Sequence, residues 1–164
     1  MQQPRFEILP EKTFVGKRLN MSYADNKTGE LWRRFMPRRR EIANAIGTEL
    51  YSIELYPEQF FTSFNPAAQF EKWAAVEVSS LENTPAGMET LLSPQGLYAV
   101  FVHYGPASTG PVTYGYIFTD WLPSSAYVVD QRLHFAIMGE KYKSESADSE
   151  EEIWIPVRSK QSAG

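Results

Sequence analysis

Two stretches of the chain share one pattern of aromatic residues, a large apolar residue and proline: Trp32-Arg33-Arg34-Phe35-Met36-Pro37 and Phe118-Thr119-Asp120-Trp121-Leu122-Pro123. The aromatic residues lie three positions apart, as on one face of an α-helix, and proline ends or kinks such a helix. Segments with the pattern of strands occur once before and twice after each helix, at 13–23, 49–56 and 70–78 and again at 97–104, 133–138 and 152–157. This recurrence predicts two copies of a βαββ unit.

The duplication defines the expected fold class, which is α+β. We expect repeat one at about 5–80 and repeat two at about 85–158, related by a pseudo-twofold axis within a single domain that spans 1–164. The strands should form an antiparallel sheet with the helices on one face and a ligand groove between the halves. Because the repeats account for nearly the whole length, no DNA-binding domain is expected.

The composition narrows the classes of function. The chain has 164 residues, with 16 Lys and Arg against 20 Asp and Glu, so its net charge is −4. It lacks the positive charge with which proteins bind nucleic-acid backbones. It has no cysteine and two histidines, which excludes disulfides and thiolate metal sites. We therefore expect no metal, no cofactor, no nucleic-acid or membrane partner, and a cytoplasmic location.

Alternation along the last strand of each repeat assigns its side chains to the two faces of the sheet. Residues 74, 76 and 78 and residues 153, 155 and 157 should face the helices. The residues that face the other side then include Trp73, Glu77, Glu152 and Trp154. A surface with two tryptophans and two carboxylates favours flat apolar ligands, cationic ones in particular. We expect both indoles to be partly exposed to a groove there. Two ordinary alternatives stay open, namely that the indoles belong to the core and that Glu152 is a solvated strand end.

Three stretches of the second half carry a family resemblance, and they read GLYAVFVHYGP at 96–106, WLPSSAY at 121–127 and EEEIWIPV at 150–157. Together they resemble the GyrI-like family, also known as the effector-binding domain of AraC-type and MerR-type regulators. The resemblance covers about 85–158, and the first half joins it through the repeat. It implies a duplicated βαββ fold with a groove between the halves that binds hydrophobic, often cationic small molecules. Some relatives inhibit DNA gyrase, and others look like hydrolases of strained cyclopropane-containing toxins.

One position departs from the pattern of that family. Many relatives carry glutamate after the aromatic residue of the penultimate strand, where this chain reads Phe135-Ala136-Ile137. A carboxylate is thus missing at Ala136, and Glu152 is the acidic residue that remains at a matching position. We expect His134 and Ala136 to line the same groove, where protonation of His134 would change the ligand preference with pH.

These observations favour a stand-alone small-molecule binding protein over an enzyme. The expected ligand is hydrophobic, aromatic or cationic, stacks on the indoles and uses Glu152 as its counter-charge. The predicted ligand-binding residues are Trp73, Glu77, His134, Ala136, Glu152 and Trp154. Two alternatives stay open: a cofactor-free hydrolase with Glu152 as general base, and a protein that inhibits a large enzyme such as gyrase by direct contact.

Overall fold

A computed structural model describes residues 2–61, 65–143 and 145–160. Its strands are β1 (Arg5–Leu9), β2 (Lys12–Met21), β3 (Leu50–Leu55), β4 (Phe70–Val78), β5 (Glu89–Ser93), β6 (Gly96–Tyr104), β7 (Tyr127–Val129), β8 (His134–Met138) and β9 (Glu150–Ser159). Its α-helices are α1 (Thr28–Phe35), α2 (Gly110–Tyr116) and the short α3 (Leu122–Ser124). The six strands expected from the sequence are present, and β1, β5 and β7 are additional.

The sheet is antiparallel and contains the predicted duplication. Its strand order is β1-β6-β9-β8-β3-β4-β2-β5, with β7 paired to β9. Repeat one contributes β2, α1, β3 and β4, and repeat two contributes β6, α2, β8 and β9. The repeats meet where β3 pairs with β8, and Ser52 lies opposite Ala136 at that junction. The α+β fold class and the two βαββ units are therefore confirmed.

The sheet curls because the strands before each repeat pair with the other half. β1 pairs with β6, and β2 pairs with β5. β1 and β2 follow each other with a break at 10–11, and β5 and β6 follow each other with a break at 94–95. Leu9 lies opposite Gly96 and Lys12 opposite Ser93, so these two interrupted strands keep one register across the breaks. Gly16 permits β2 to approach β4 closely, since a Cβ there would collide with the carbonyl oxygen of Ala74. The curl encloses the concave face of the sheet.

The helices of both repeats cover the convex face. Leu31 and Phe35 are the buried residues of α1, which ends one residue before Met36 and continues as a 3-10 helix over Met36–Glu41. The break follows from Pro37, which has no amide hydrogen to donate to the preceding turn. In repeat two, a π-helical turn over Ile117–Trp121 follows α2 and buries both of its end residues. None of the helices in the described residues is long and apolar enough to span a bilayer.

The face assignment of the last strands is confirmed. Residues 74, 76 and 78 pack in the core beneath α1, and residues 153, 155 and 157 pack in the core beneath the helices of repeat two. Trp73 and Trp154 lie on the opposite, concave face. Their predicted exposure is wrong, because 3% and 6% of their surfaces remain accessible. The curled sheet brings other large side chains, such as Phe14 and Tyr98, onto the two indoles and fills the concave face.

Candidate functional site

The six residues predicted to bind ligand lie on two different faces of the sheet. Trp73, Glu77, Glu152 and Trp154 are on the concave face, whereas His134 and Ala136 are on the convex face that carries the helices. The prediction that all six share one groove is therefore wrong. The reason is that Phe135 and Ile137 are buried in the concave core rather than under the helices. Alternation along β8 therefore places His134 and Ala136 on the convex face.

Both carboxylates that the sequence predicted for the concave-face site, Glu77 and Glu152, already have cationic partners. Glu77 pairs with Lys12 at 3.0 Å between Oε2 and Nζ. Glu152 pairs with Arg5 at 2.9 Å between Oε2 and Nη2, and the indole N–H of Trp154 donates to its other oxygen at 3.0 Å. Since the indoles are packed and the carboxylates are paired, this face has neither the space nor the unbalanced charge of a cation-binding site.

The convex face contains a buried carboxylate that the sequence analysis did not single out. Glu54 of β3 is 6% exposed and lies between Lys72 of β4 and His134 of β8 in the strand register. The hydroxyl of Tyr56 donates a hydrogen bond to Glu54 at 2.7 Å, and it lies 3.1 Å from the hydroxyl of Tyr23. In the part of the chain that the structure describes, no cationic side chain forms an ion pair with Glu54.

Glu54 adjoins a cluster of aromatic rings from both repeats. We use the name aromatic cluster for Tyr23, Tyr56, Phe60, Phe61, Phe70, Phe118 and His134. Tyr56 is at its centre, with ring centroids 4.6 Å from Phe60, 4.8 Å from Phe61 and 4.8 Å from His134. Phe61 of repeat one stacks on Phe118 of repeat two at 4.8 Å, so the cluster bridges the junction of the halves.

The polar groups around Glu54 are held in their neutral forms. Burial raises the pKa of the Tyr56 hydroxyl well above its usual range, and the Glu54 carboxylate raises it further. Burial likewise raises the pKa of Tyr114, with contributions from Glu54 and Glu151. Burial, with a contribution from the charge of Arg132, lowers the pKa of His134 to about 3. These neighbours therefore supply no positive charge to Glu54 near pH 7.

A cleft of about 530 Å³ opens beside the aromatic cluster. Its lining includes Tyr56, Phe60 and Phe61 of repeat one and Tyr127 and His134 of repeat two. This volume is typical of small-molecule sites. Tyr56 separates the cleft from Glu54, because its ring is part of the wall while its hydroxyl bonds to the carboxylate.

The rim of the cleft carries charges of both signs. Asp130 forms ion pairs with two arginines, at 2.7 Å between Oδ2 and Nε of Arg132 and at 3.7 Å between Oδ1 and Nε of Arg158. Lys160 donates to the carbonyl oxygen of Pro123, and Glu58 is exposed on the rim. These rim groups form ion pairs or hydrogen bonds, or are exposed to solvent, whereas Glu54 is buried and has no ion-pair partner among the described residues.

The second histidine, His103, is held by hydrogen bonds, and the metal-ligating side chains of the described residues are dispersed. No group of three metal-ligating side chains occurs in residues 2–61, 65–143 and 145–160. His103 is buried, and its ring nitrogens bond to Thr113 Oγ1 at 2.7 Å and to the Pro106 carbonyl oxygen at 2.9 Å. The sequence signal for Glu54 was incomplete, because alternation places it on the face opposite Ile53 and Leu55 but does not say which of the two faces the helices cover.

A family model for the GyrI-like small molecule binding domain matches residues 2–158. The chain belongs to the GyrI-like family. This confirms the resemblance that the sequence of the second half carries, and it extends that resemblance over the first half. The GyrI-like domain is a small-molecule binding domain, so the coarse function expected from the sequence is also confirmed.

Other proteins are similar to this chain in sequence or in fold. The transcriptional regulator BrlR of Pseudomonas aeruginosa is 26% identical over 158 residues, which are 96% of this chain and 54% of BrlR. This chain therefore spans about half the length of that relative. SAV2435, solved with bound tetraphenylphosphonium, superposes with a TM-score of 0.74 at 14% identity over 96% of this chain and 94% of its own. The C-terminal domain of EcmrR gives 0.70 at 18% identity over 96% and 98% of the two chains.

Proposed function

We propose that this protein binds an aromatic cation in the cleft at the junction of its halves, with Glu54 as the counter-charge. The observation that carries the proposal is a 6% exposed carboxylate with no ion-pair partner among the described residues, hydrogen-bonded to Tyr56 at the centre of the aromatic cluster. Burying an unpaired carboxylate is costly, and such groups are concentrated at functional sites. A ligand cation would offset that cost.

The aromatic cluster supplies the remaining affinity. Faces of tyrosine and phenylalanine attract cations, and they also remove apolar ligand surface from water. Tyr56 is the point of contact between the cleft and the carboxylate, so ligand entry requires its ring to move or its hydroxyl to exchange partners. Binding of tetraphenylphosphonium, an aromatic cation, by the relative SAV2435 supports this ligand class.

The proposal changes the role of the residues predicted from the sequence. His134 becomes a neutral wall residue of the cleft, and Ala136 becomes a small residue of the convex face near Glu54. Glu54 takes the counter-charge role that was predicted for Glu152. The hydrolase alternative required Glu152 as a free base, but its carboxylate is held by Arg5 and Trp154. We therefore propose binding without turnover and without direct contact to nucleic acid.

The test is the substitution Glu54→Gln, which keeps the size of the side chain and removes its charge. Calorimetric titration at pH 8 would compare N-methyl-phenylpyridinium with neutral phenylpyridine, two ligands of nearly the same shape. We expect affinity for the cation to fall roughly ten- to a hundredfold, as for loss of a charge-assisted contact, and affinity for the neutral ligand to change less than about threefold.

The matched control is Glu58→Gln, which removes an exposed carboxylate from the rim of the same cleft. Solvent screens that charge, so neither affinity should change more than about threefold. Unchanged cation affinity in the Glu54 variant would overturn the proposal. Equal losses for both ligands in a variant with an unchanged melting temperature would also contradict it, since they would show that Glu54 does not act through its charge.

A further inference from the structure

The convex face carries two further charged residues, Lys72 and Glu151, to which the proposed function gives no role. Lys72 of β4 lies opposite Glu54 in the strand register, yet it forms no ion pair with Glu54 in the described structure. The repeat that relates Ala74 to Ile153 and Val76 to Ile155 also relates Lys72 to Glu151. The two halves therefore place opposite charges at equivalent positions around the junction.

Small residues separate these charges. Between β4 and β9 lie β3 and β8, so the two strands are roughly 14 Å apart. On the convex face, the cross-strand row of Ala74, Ser52 and Ala136 lies between the row that contains Lys72 and the position of Glu151, and this row carries only small side chains. Both Lys72 and Glu151 are partly buried.

The electrostatics of Glu151 show that the charges act on one another. Burial raises the pKa of Glu151, while the proximity of His103 and Lys72 opposes the rise and the carboxylate of Glu54 adds to it. Tyr114 responds to the charges of both Glu54 and Glu151, which places its hydroxyl in the same field. Glu54, Lys72 and Glu151 thus form one partly buried set with two carboxylates and one ammonium group.

We propose that Lys72 limits the ligand of this site to a single positive charge. The inference rests on the proposed function, because it concerns the ligand that Glu54 attracts. With Lys72 in place, the three charges sum to one negative charge, which a monocation balances. A dication would bring its second charge into a site where Lys72 already opposes it, and the aromatic cluster holds no charged group to compensate. The protein therefore selects monocationic over dicationic aromatics.

The experiment compares N-methyl-phenylpyridinium with dimethyl-bipyridinium, which has nearly the same shape and one more positive charge. Calorimetric titration at low salt would give both affinities for the wild type and for Lys72→Met, which keeps most of the side-chain stem. We expect the wild type to prefer the monocation. In the variant, monocation affinity should rise roughly tenfold and dication affinity roughly a hundredfold, because each ligand charge gains the same potential.

Three further variants separate charge from packing. Lys72→Arg keeps the charge and should keep the wild-type ratio of the two affinities. Lys72→Gln also removes the charge but keeps a polar end group. It should show the same change in the ratio of affinities as Lys72→Met, and it guards against a disturbance of packing by methionine. Lys17→Met is the matched control, since Lys17 lies on the same face of the adjacent strand but donates to the Gly87 carbonyl oxygen, and it should leave the ratio unchanged.

The outcomes distinguish this inference from the proposed function. An unchanged ratio of affinities in both Lys72→Met and Lys72→Gln overturns the role of Lys72, even if the wild type binds the monocation. Failure of the wild type to bind either cation overturns the proposed function instead. A changed ratio in Lys17→Met as large as that in Lys72→Met would show a general surface-charge effect and would also overturn the inference.

Discussion

The two faces of the central sheet use aromatic and acidic residues in opposite ways. On the concave face, the indoles of Trp73 and Trp154 are packed, and the carboxylates of Glu77 and Glu152 pair with lysine and arginine. On the convex face, aromatic rings line an open cleft, and the carboxylate of Glu54 is buried without a cationic partner among the described residues. Richness in aromatic and acidic residues therefore does not identify a ligand site. We propose that a buried carboxylate without an ion-pair partner, next to accessible volume, is the better indicator.

The largest expected difference between the faces is in stability. Trp154→Ala should lower the free energy of unfolding by about 3–5 kcal/mol, because it leaves a cavity in the packed concave core. Phe61→Ala should cost less than about 2 kcal/mol, since Phe61 is 40% exposed on the wall of the cleft. Chemical denaturation measures both values. Equal costs would show that the two faces are packed alike and would remove the distinction between them.

The second prediction uses acid to probe the convex face. The pKa of folded His134 is about 3, whereas the ordinary value is 6.5, so the unfolded chain binds a proton that the folded chain excludes. This contribution to stability is complete above about pH 6.5 and is lost as the pH falls towards 3, at about 1.4 kcal/mol per pH unit. Between pH 6.5 and 4.5, the wild type should therefore lose about 2–3 kcal/mol more than His134→Phe.

Denaturation curves of both proteins at each pH provide the measurement for His134. The phenylalanine variant keeps an aromatic ring against Tyr56, Phe61 and Phe118 and removes the titrating group. Parallel pH profiles of the two proteins would mean that the imidazole becomes protonated without loss of stability in the folded protein. In that case the convex face at His134 is more open to water than the structure shows.

The third prediction concerns the charge that the family pattern lacks. Ala136→Glu adds a carboxylate on the convex face, opposite Ser52 and close to Glu54. It should raise the ratio of cation affinity to neutral-ligand affinity about three- to tenfold, because the added carboxylate attracts the cation and has no net charge to attract in the neutral ligand. Titration with N-methyl-phenylpyridinium and phenylpyridine measures the ratio.

Ala86→Glu is the control for Ala136→Glu, since it adds the same charge at an exposed loop position. It should change the ratio less than about twofold, because solvent screens the added charge. A ratio that stays constant in Ala136→Glu, in a variant whose melting shows an intact fold, would place residue 136 outside the site.

The smallest effect is expected from Glu152→Gln. Its ion pair with Arg5 joins side chains that are 37% and 46% exposed, so its loss should change stability by less than about 1 kcal/mol. Cation affinity should change less than about twofold, because the carboxylate faces away from the cleft. A tenfold loss of cation affinity in this variant would return the ligand to the concave face and reverse the comparison.

The sequence pointed to the proposed site only in part, and the reason can be seen in β8. Alternation correctly placed His134 and Ala136 on one face and Phe135 and Ile137 on the other. It could not say which of these faces carries the helices, because both Phe135 and Ile137 are apolar and would suit either core. Glu54 was overlooked for a related reason, since a single glutamate in a strand more often marks a solvated face. Its burial depends on Tyr56 and on rings from the other repeat.

The sequence by itself determined the duplicated βαββ order, the α+β class, the family and the division of side chains between two faces. These features depend on local periodicity and on motifs, which a linear chain displays. Only the tertiary structure decided which face is filled and which is open. That outcome depends on pairing between distant strands, such as Leu9 with Gly96 and Lys12 with Ser93, which curls the sheet around the indoles. Because such pairing is set by the balance of packing over the whole molecule, no short stretch of sequence encodes it.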